Sequence, residues 1–250
     1  MLAGLLRRLI RAGVRCVPGG TIAAEQAILA ARKFSPDTVL QATSSGFFPM
    51  ANSAGRIEWR NPKRRAVIPV DGFRVPKSLR RLMRTQRFEI RLNSAVDRVI
   101  TCCADRENSW ITPEIADVYA ELSGMGVVRT VEAWQNGQLV GGVYGLAIGR
   151  YFVSESQFHR VNHAGKVCFA TLFEILCANG FLIHDVQYSS GFLQQFGAIE
   201  LSRDEFRSRL TRSLAQPARF ELPSTILERV ATRDSTAHAD ASTNSTAAES

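Results

Sequence analysis

Apolar residues along this chain recur with two periods, and the alternation between them predicts the elements. The alanine-rich stretch 23–31 reads as a helix. Residues 35–46 read as a second helix, with Ser35 as N-cap, Pro36 at the first helical position and Gly46 as the stop. The next stretch, "GFFPM", reads as a turn with exposed aromatics. "RRAVIPV", residues 64–70, predicts a short strand that Pro69 makes an edge or a strand end. "VPKSLRRLMRTQ" predicts a helix carrying Arg80, Arg81, Arg84 and Arg87, with positions 80, 84 and 87 on one face. "FEIRLNS" alternates as a strand, and "SAVDRVITCCA" predicts a helix capped by Asn93 or Ser94. Thr112 and Pro113 open an amphipathic helix whose apolar stripe is Ile115, Val118, Tyr119 and Leu122, stopped at Gly124 or Gly126.

The second half of the chain predicts a sheet. Two β-rich runs flank Asn136-Gly137, the strongest short hairpin signal. Glycines 141, 142, 145 and 149 fall in or around this strand pattern, which points to a bulge or to close approach of another backbone. A third strand runs from Phe152 to Glu155. A helix over 162–180 follows, capped by Asn162 and stopped by Gly180, with Gly165, Phe169, Leu172 and Leu176 on one face. "FLIHDVQY" is a further strand, "SSGFLQQFGA" a loop or short helix, and Ser202 caps a last helix over 202–210. This order implies a sheet with helices on its faces. An acid at a strand end, such as Glu155, most simply meets solvent. However, Glu155 and Asp185 leave strands that bracket one helix, and such strands lie parallel with their exits at one edge. Gln187, two residues past Asp185, shares its side of the sheet.

Charge changes the picture more than composition does. Hydrophobic content is 45%, ordinary for a chain of 250 residues with a real core, and no run of eighteen apolar residues suggests a membrane span. The formal net charge is +8. Between Arg56 and Arg91 twelve basic residues face three acids, a net of +9 that accounts for nearly the whole excess. A concentrated, arginine-dominated stripe is the footprint of a polyanionic partner, whereas a solvated face usually mixes both signs. Five cysteines show neither a disulfide framework nor metal spacing, which suggests reduced thiols in a cytoplasm. His159 and His163 have helical metal spacing but lack a third ligand, so no metal is expected. Residues 1–20 read as a basic leader, and 226–250, rich in Ser, Thr and Ala without periodicity, as a disordered tail. Between them lie a small N-terminal domain over 21–62 and a larger one over 63–225.

Several stretches together carry a family resemblance: "FSPDTVLQATSSGFFP", "WRNPKRRAVIP", "ADRENSWIT", "VEAWQNGQLVGGVYGLAIGRYFVSESQF", "HAGK", and "DVQ" followed by "FGAIELSRDEF". In order and with near-constant spacing over roughly residues 26–220, the chain resembles the leucyl/phenylalanyl-tRNA–protein transferases. The resemblance implies an α+β fold, a GCN5-related acyltransferase-like mixed sheet flanked by helices with a small N-terminal domain. It implies transfer of an aminoacyl group from aminoacyl-tRNA to the α-amino group of a protein that begins with Arg or Lys, marking that protein for degradation. No metal or diffusible cofactor is implied.

The resemblance also assigns roles. Glu155 would hold the cationic acceptor N-terminus, and Asp185 would orient Gln187 and help to position or polarise the amine. Aminolysis of an ester needs the amine to lose a proton and the carbonyl oxygen to gain charge. A general base among these groups and deprotonation assisted by the tRNA ribose hydroxyl both remain open. The aminoacyl side chain would lie among Val143, Phe152, Phe169, Leu172 and Leu176, with Trp110 and Tyr119 nearby; Leu176 is equally readable as plain core. Arg80, Arg81, Arg84 and Arg87 would grip tRNA phosphates, contacts that position without reading sequence.

The chain departs from the family pattern at "ARKF" (31–34), at Met50 and Arg60 where the family has tryptophans, at His163 where it has asparagine, and at Gln157 where methionine is usual. A polar amide at the pocket forfeits part of a hydrophobic gain of about 0.8 kcal/mol per buried CH₂. The acids stay while the specificity surface changes. Two alternatives follow: an acyltransferase with a different aminoacyl group or acceptor, and a non-catalytic tRNA-binding paralogue.

Overall fold

A computed structural model describes residues 21–70, 72–107 and 109–223. The expected basic leader and disordered tail lie outside the described residues. Two short helices, α1 (Ile22–Ala30) and α2 (Pro36–Ser44), come first among the described residues. Ser35 caps α2, its hydroxyl accepting from the Thr38 N–H at 3.3 Å, and Gly46 turns away at φ +89°. Strands β1 (Phe48–Ala51) and β2 (Ile57–Arg60) form a separate antiparallel pair. The aromatics expected to be exposed there are interior: Phe47 and Phe48 are fully buried, because β1 lays them against the helices and Arg65 rather than looping outward.

The main sheet has the order β4-β5-β6-β7-β8-β3-β9. Its members are β3 (Arg64–Ile68), β4 (Glu89–Leu92), β5 (Val128–Gln135), β6 (Gln138–Ile148), β7 (Tyr151–His159), β8 (Ile183–Gln187) and β9 (Ile199–Ser202). All neighbours are antiparallel except β7 and β8, so the sheet is mixed. Of the two expectations for strand β3, the strand end holds and the edge does not: Pro69 falls just beyond its last residue and costs no ladder bond, while the strand itself is interior between β8 and β9. Asn136 and Gly137 both take positive φ, 52° and 73°, at the β5–β6 turn, as a two-residue hairpin of right-handed twist demands.

The remaining helices are α3 (Lys77–Arg84), α4 (Val96–Ala104), α5 (Pro113–Gly124), α6 (Ala164–Ala178), the single turn α7 (Gly191–Gln194) and α8 (Arg203–Leu214). Each sheet face carries its own core. Helices α4, α5 and α8 bury Val99, Ile115, Leu122 and Phe206 on one face, and α6 buries Phe169, Leu172, Phe173 and Leu176 on the other. Two expected caps are not used. The start of α4 is held by Glu132 from β5, which accepts from the N–H groups of Ser94 (2.8 Å) and Ala95 (2.9 Å). Asn93 instead takes φ +52° and pairs with Thr130. The N-cap of α6 is His163, at φ +72° and without a side-chain cap bond, in place of Asn162. His159 ends β7 while His163 precedes α6, so the pair does not share a helix.

Candidate active site

Strand β7 does not end at Glu155, as its polar neighbours suggested; it continues to His159. The reason is a bulge. Ser154 pairs with Gly145 and Ser156 with Tyr144, leaving Glu155 as the extra residue. A bulge re-aims one side chain without ending the strand. Here it turns Glu155 toward α5, where Oε1 accepts from the Tyr119 hydroxyl at 2.9 Å.

The parallel pairing of β7 with β8 stops nearby. Its register is Tyr151–Ile183, Phe152–His184 and Val153–Asp185, and nothing pairs beyond. Across that opening the Gln187 amide donates to Glu155 Oε2 at 3.0 Å. Gln187 holds φ +64°, an uncommon conformation for a non-glycine residue and one typical of functional sites. Glu155 is 7% exposed. Burial pushes its carboxyl up from the usual range to about 7, against the hydrogen bonds from Tyr119 and Gln187 that favour the anion.

Asp185 has no free lone pair to offer. Its Oδ1 accepts from Arg65 Nε (2.8 Å) and from the Gln187 backbone N–H (2.9 Å), and its Oδ2 from Arg65 Nη2 (2.6 Å) and the Tyr151 hydroxyl (2.5 Å). It therefore fixes the Gln187 backbone. Arg65 donates its remaining terminal nitrogen to the Gly46 carbonyl at 3.1 Å and lies against the rings of Phe48 and Phe206, at 4.4 and 4.8 Å. Burial opposes its charge, but the charge and hydrogen bonds of Asp185 outweigh this and raise its pKa. Sequence reasoning missed Arg65 because it stood inside a basic stripe and looked like one more surface cation. It also missed Tyr151, the residue just before the predicted strand.

The remaining candidates divide between the two faces. Tyr119 and Trp110 sit with the α4–α5 core, and the Trp110 carbonyl accepts from the Ala51 N–H of β1. Val143, Phe152, Phe169 and Leu172 lie in the α6 core on the other face. Gln157, opposite Val143 in register, belongs to that second face, and its Oε1 is buried without a hydrogen-bond partner among the described residues. Thus Glu155, bonded to Tyr119, and the apolar candidates belong to opposite faces of the sheet.

The basic stripe is not uniform either. Arg60, Arg64 and Arg91 pair with Glu58, Glu200 and Glu89. Arg80, Arg81, Arg84 and Arg87 are exposed, and none forms an ion pair among the described residues. Arg87 lies past the end of α3, with its guanidinium 5.2 Å from the Phe88 ring, so it does not share the helical face of 80 and 84. A cavity of about 360 Å³ lies between α3 and the start of α6, lined by Leu79, Arg81, Leu82, His163, Lys166 and Gln195.

The sheet is mixed and parts between two parallel strands, and a buried carboxyl and an amide face each other across the gap. The family described as leucyl/phenylalanyl-tRNA protein transferase matches residues 67–211, and its N-terminal domain matches residues 32–63. The leucyl/phenylalanyl-tRNA–protein transferase of Paramagnetospirillum magneticum is 42% identical over 206 residues, covering 80% of this chain and 99% of that one. The protein of the same name from Gloeobacter violaceus is 45% identical over 187 residues, covering 74% and 97%. That from Salinibacter ruber is 41% identical, covering 72% and 80%. The chain belongs to the leucyl/phenylalanyl-tRNA–protein transferase family.

Proposed function

We propose that this chain transfers a leucyl- or phenylalanyl-type group from aminoacyl-tRNA to the N-terminal α-amino group of a protein beginning with Arg or Lys, in the cytoplasm, and so marks that protein for degradation. The single observation that carries the site assignment is Glu155: a buried carboxyl set on a bulge at the opening between β7 and β8, bonded to Tyr119 and to Gln187.

In this reading the acceptor amine attacks the ester carbonyl that links the amino acid to the tRNA ribose. The acceptor ammonium first gives up one proton, to Glu155 or to water; as the free amine then attacks, the C–N bond forms, the C–O bond breaks, and a second amine proton ends on the departing ribose oxygen. Glu155 binds the cationic acceptor. With its pKa near 7, it changes charge close to neutral pH, where a proton-handling group is most effective. Gln187, aimed by Asp185, presents an amide to the reacting centre. Asp185 and Arg65 position and do not react. The aminoacyl side chain lies on the α6 side among Val143, Phe152, Phe169 and Leu172, with Trp110 and Tyr119 closing the acceptor side. Arg80, Arg81, Arg84 and Arg87 take tRNA phosphates, and the cavity beside Arg81 and Lys166 supports a phosphate path from there toward α6. The division into a small unit over 21–62 and a catalytic unit over 63–225 belongs to the same reading.

The test is transfer of radiolabelled leucine and phenylalanine, separately, from charged tRNA to peptides beginning with Arg, Lys or Ser. Transfer to the Arg and Lys peptides alone is expected. Equal transfer to the Ser peptide would overturn the preference for acceptors beginning with Arg or Lys.

A further inference from the structure

The face of β7 opposite Glu155 carries a second polar group that the transfer chemistry does not use. His184, fully buried on β8, is bonded through Nε2 to the Ser154 hydroxyl at 2.7 Å. Its ring lies among Phe152, Phe169 and Phe173, with centroids 5.8, 5.4 and 6.0 Å away. Its other nitrogen, Nδ1, is buried with no hydrogen-bond partner among the described residues, as is Gln157 Oε1 on the same face. Buried polar atoms in native structures nearly always have a partner, because an unpaired one has lost its water bonds without replacement. An orphan atom such as Nδ1, set beside phenylalanine rings, points to a ligand that brings the missing partner.

We infer that His184, held by Ser154, is a specificity-determining residue that admits an aromatic aminoacyl side chain bearing a hydroxyl, a tyrosyl group, into the pocket. This rests on the reading above that Phe152 and Phe169 wall the aminoacyl side chain. The chemistry selects among side chains. Burial pushes the His184 pKa down to about 3, so the ring is neutral and gives no counter-charge to an acidic or basic side chain. If Ser154 donates to Nε2, Nδ1 carries the proton and needs an acceptor; if Nε2 donates, Nδ1 needs a donor. A phenol hydroxyl supplies either, whereas an indole N–H only donates and a thioether only accepts. The three phenylalanine rings suit an aromatic guest through edge-to-face contact.

The experiment measures kcat/KM for transfer of tyrosine, phenylalanine and leucine from their charged tRNAs to a peptide beginning with Arg. Native protein, His184→Leu and Ser154→Ala are compared, and melting temperatures confirm folding. The native protein is expected to use tyrosine within about tenfold of phenylalanine, because a site that bonds a hydroxyl favours the substrate carrying it. His184→Leu should lower the tyrosine-to-phenylalanine ratio by at least about tenfold while raising leucine transfer. Ser154→Ala, which frees the ring to turn, should shift the ratio the same way by less. A ratio unchanged in both variants overturns the inference and leaves the transfer reading intact. Failure of every aminoacyl group to transfer overturns that reading, and this inference with it.

Discussion

Arg65 Nη2 lies 2.6 Å from Asp185 Oδ2, with both side chains essentially sealed from solvent. The pair spans 120 residues of sequence and joins three parts of the fold. Through the Gly46 carbonyl and the Phe48 ring, Arg65 touches the first units of the chain; through Phe206 it touches α8; through Asp185 it fixes the backbone of Gln187. A buried pair with every bond made is weak evidence of net stability, yet breaking one is costly. Its effect here is geometric: it sets where the Gln187 amide meets Glu155.

Arg65→Met should therefore destabilise the fold by about 3–5 kcal/mol, since Asp185 would keep a buried, unpaired charge. Combining it with Asp185→Leu removes that charge and should recover most of the loss. Activity should not return, because the Gln187 N–H has then lost its acceptor. Urea unfolding and turnover are read on both variants. A stable double variant with normal turnover would reduce the pair to scaffolding.

Glu155 gives a pH dependence with a definite sign. Its pKa in the fold is about 7 against an ordinary 4.5. An acid with a raised native pKa contributes full stability below pH 4.5, where both states are protonated. That contribution is lost as pH rises to 7, because the unfolded chain ionises first; the difference is about 3 kcal/mol. Glu155→Gln should flatten that slope in chemical denaturation followed from pH 4 to 8. In transfer assays the anion binds the acceptor, so kcat/KM should rise through about pH 7 and lose that rise in Glu155→Gln. Turnover should fall on the order of a hundredfold. A variant that keeps both slope and turnover would remove Glu155 from its assigned place.

Much of this fold was legible because it rests on local rules. Ser35 and Thr112 cap helices, Asn136-Gly137 turns a hairpin, and the β7–α6–β8 unit brings Glu155 and Asp185 to one edge. What escaped depends on pairing between distant strands. The bulge at Glu155 exists only relative to β6, so periodicity along β7 alone ended the strand too early. Arg65 is interior because β3 lies between β8 and β9, which its own residues do not announce. The candidate pocket residues looked like one group, yet Tyr119 and Phe152 face opposite sides of the sheet.

The exposed arginines of α3 should act through charge rather than shape. Arg80→Ala with Arg84→Ala is expected to weaken tRNA binding and to make the slope of log affinity against log salt shallower by about 0.7–0.9 per lost phosphate contact. Both side chains are exposed, so melting should hardly move. Filter binding across a salt series decides: an unchanged slope would make these arginines a solvated face.

Two glycines should respond to alanine with opposite sign. A Cβ on Gly145 would stand 2.1 Å from the Val153 carbonyl oxygen and 2.7 Å from the Phe152 ring. Neither the β-ladder nor a fully buried ring can move aside cheaply, and Gly145 is the residue that pairs with Ser154 just before the bulge. Gly145→Ala should therefore open the β6–β7 ladder where Glu155 is aimed, costing upwards of about 2 kcal/mol as an overpacked site and taking transfer activity with it. At Gly124, the last residue of α5, a Cβ meets nothing within 4 Å and φ is not positive. Gly124→Ala removes backbone freedom from the unfolded chain at a position that already accepts a side chain, and should stabilise by about 0.4–1 kcal/mol with activity unchanged. Melting temperatures and turnover measured together separate the two effects. If Gly145→Ala lost stability but kept native turnover, the bulge would not be what places Glu155 in the opening between β7 and β8.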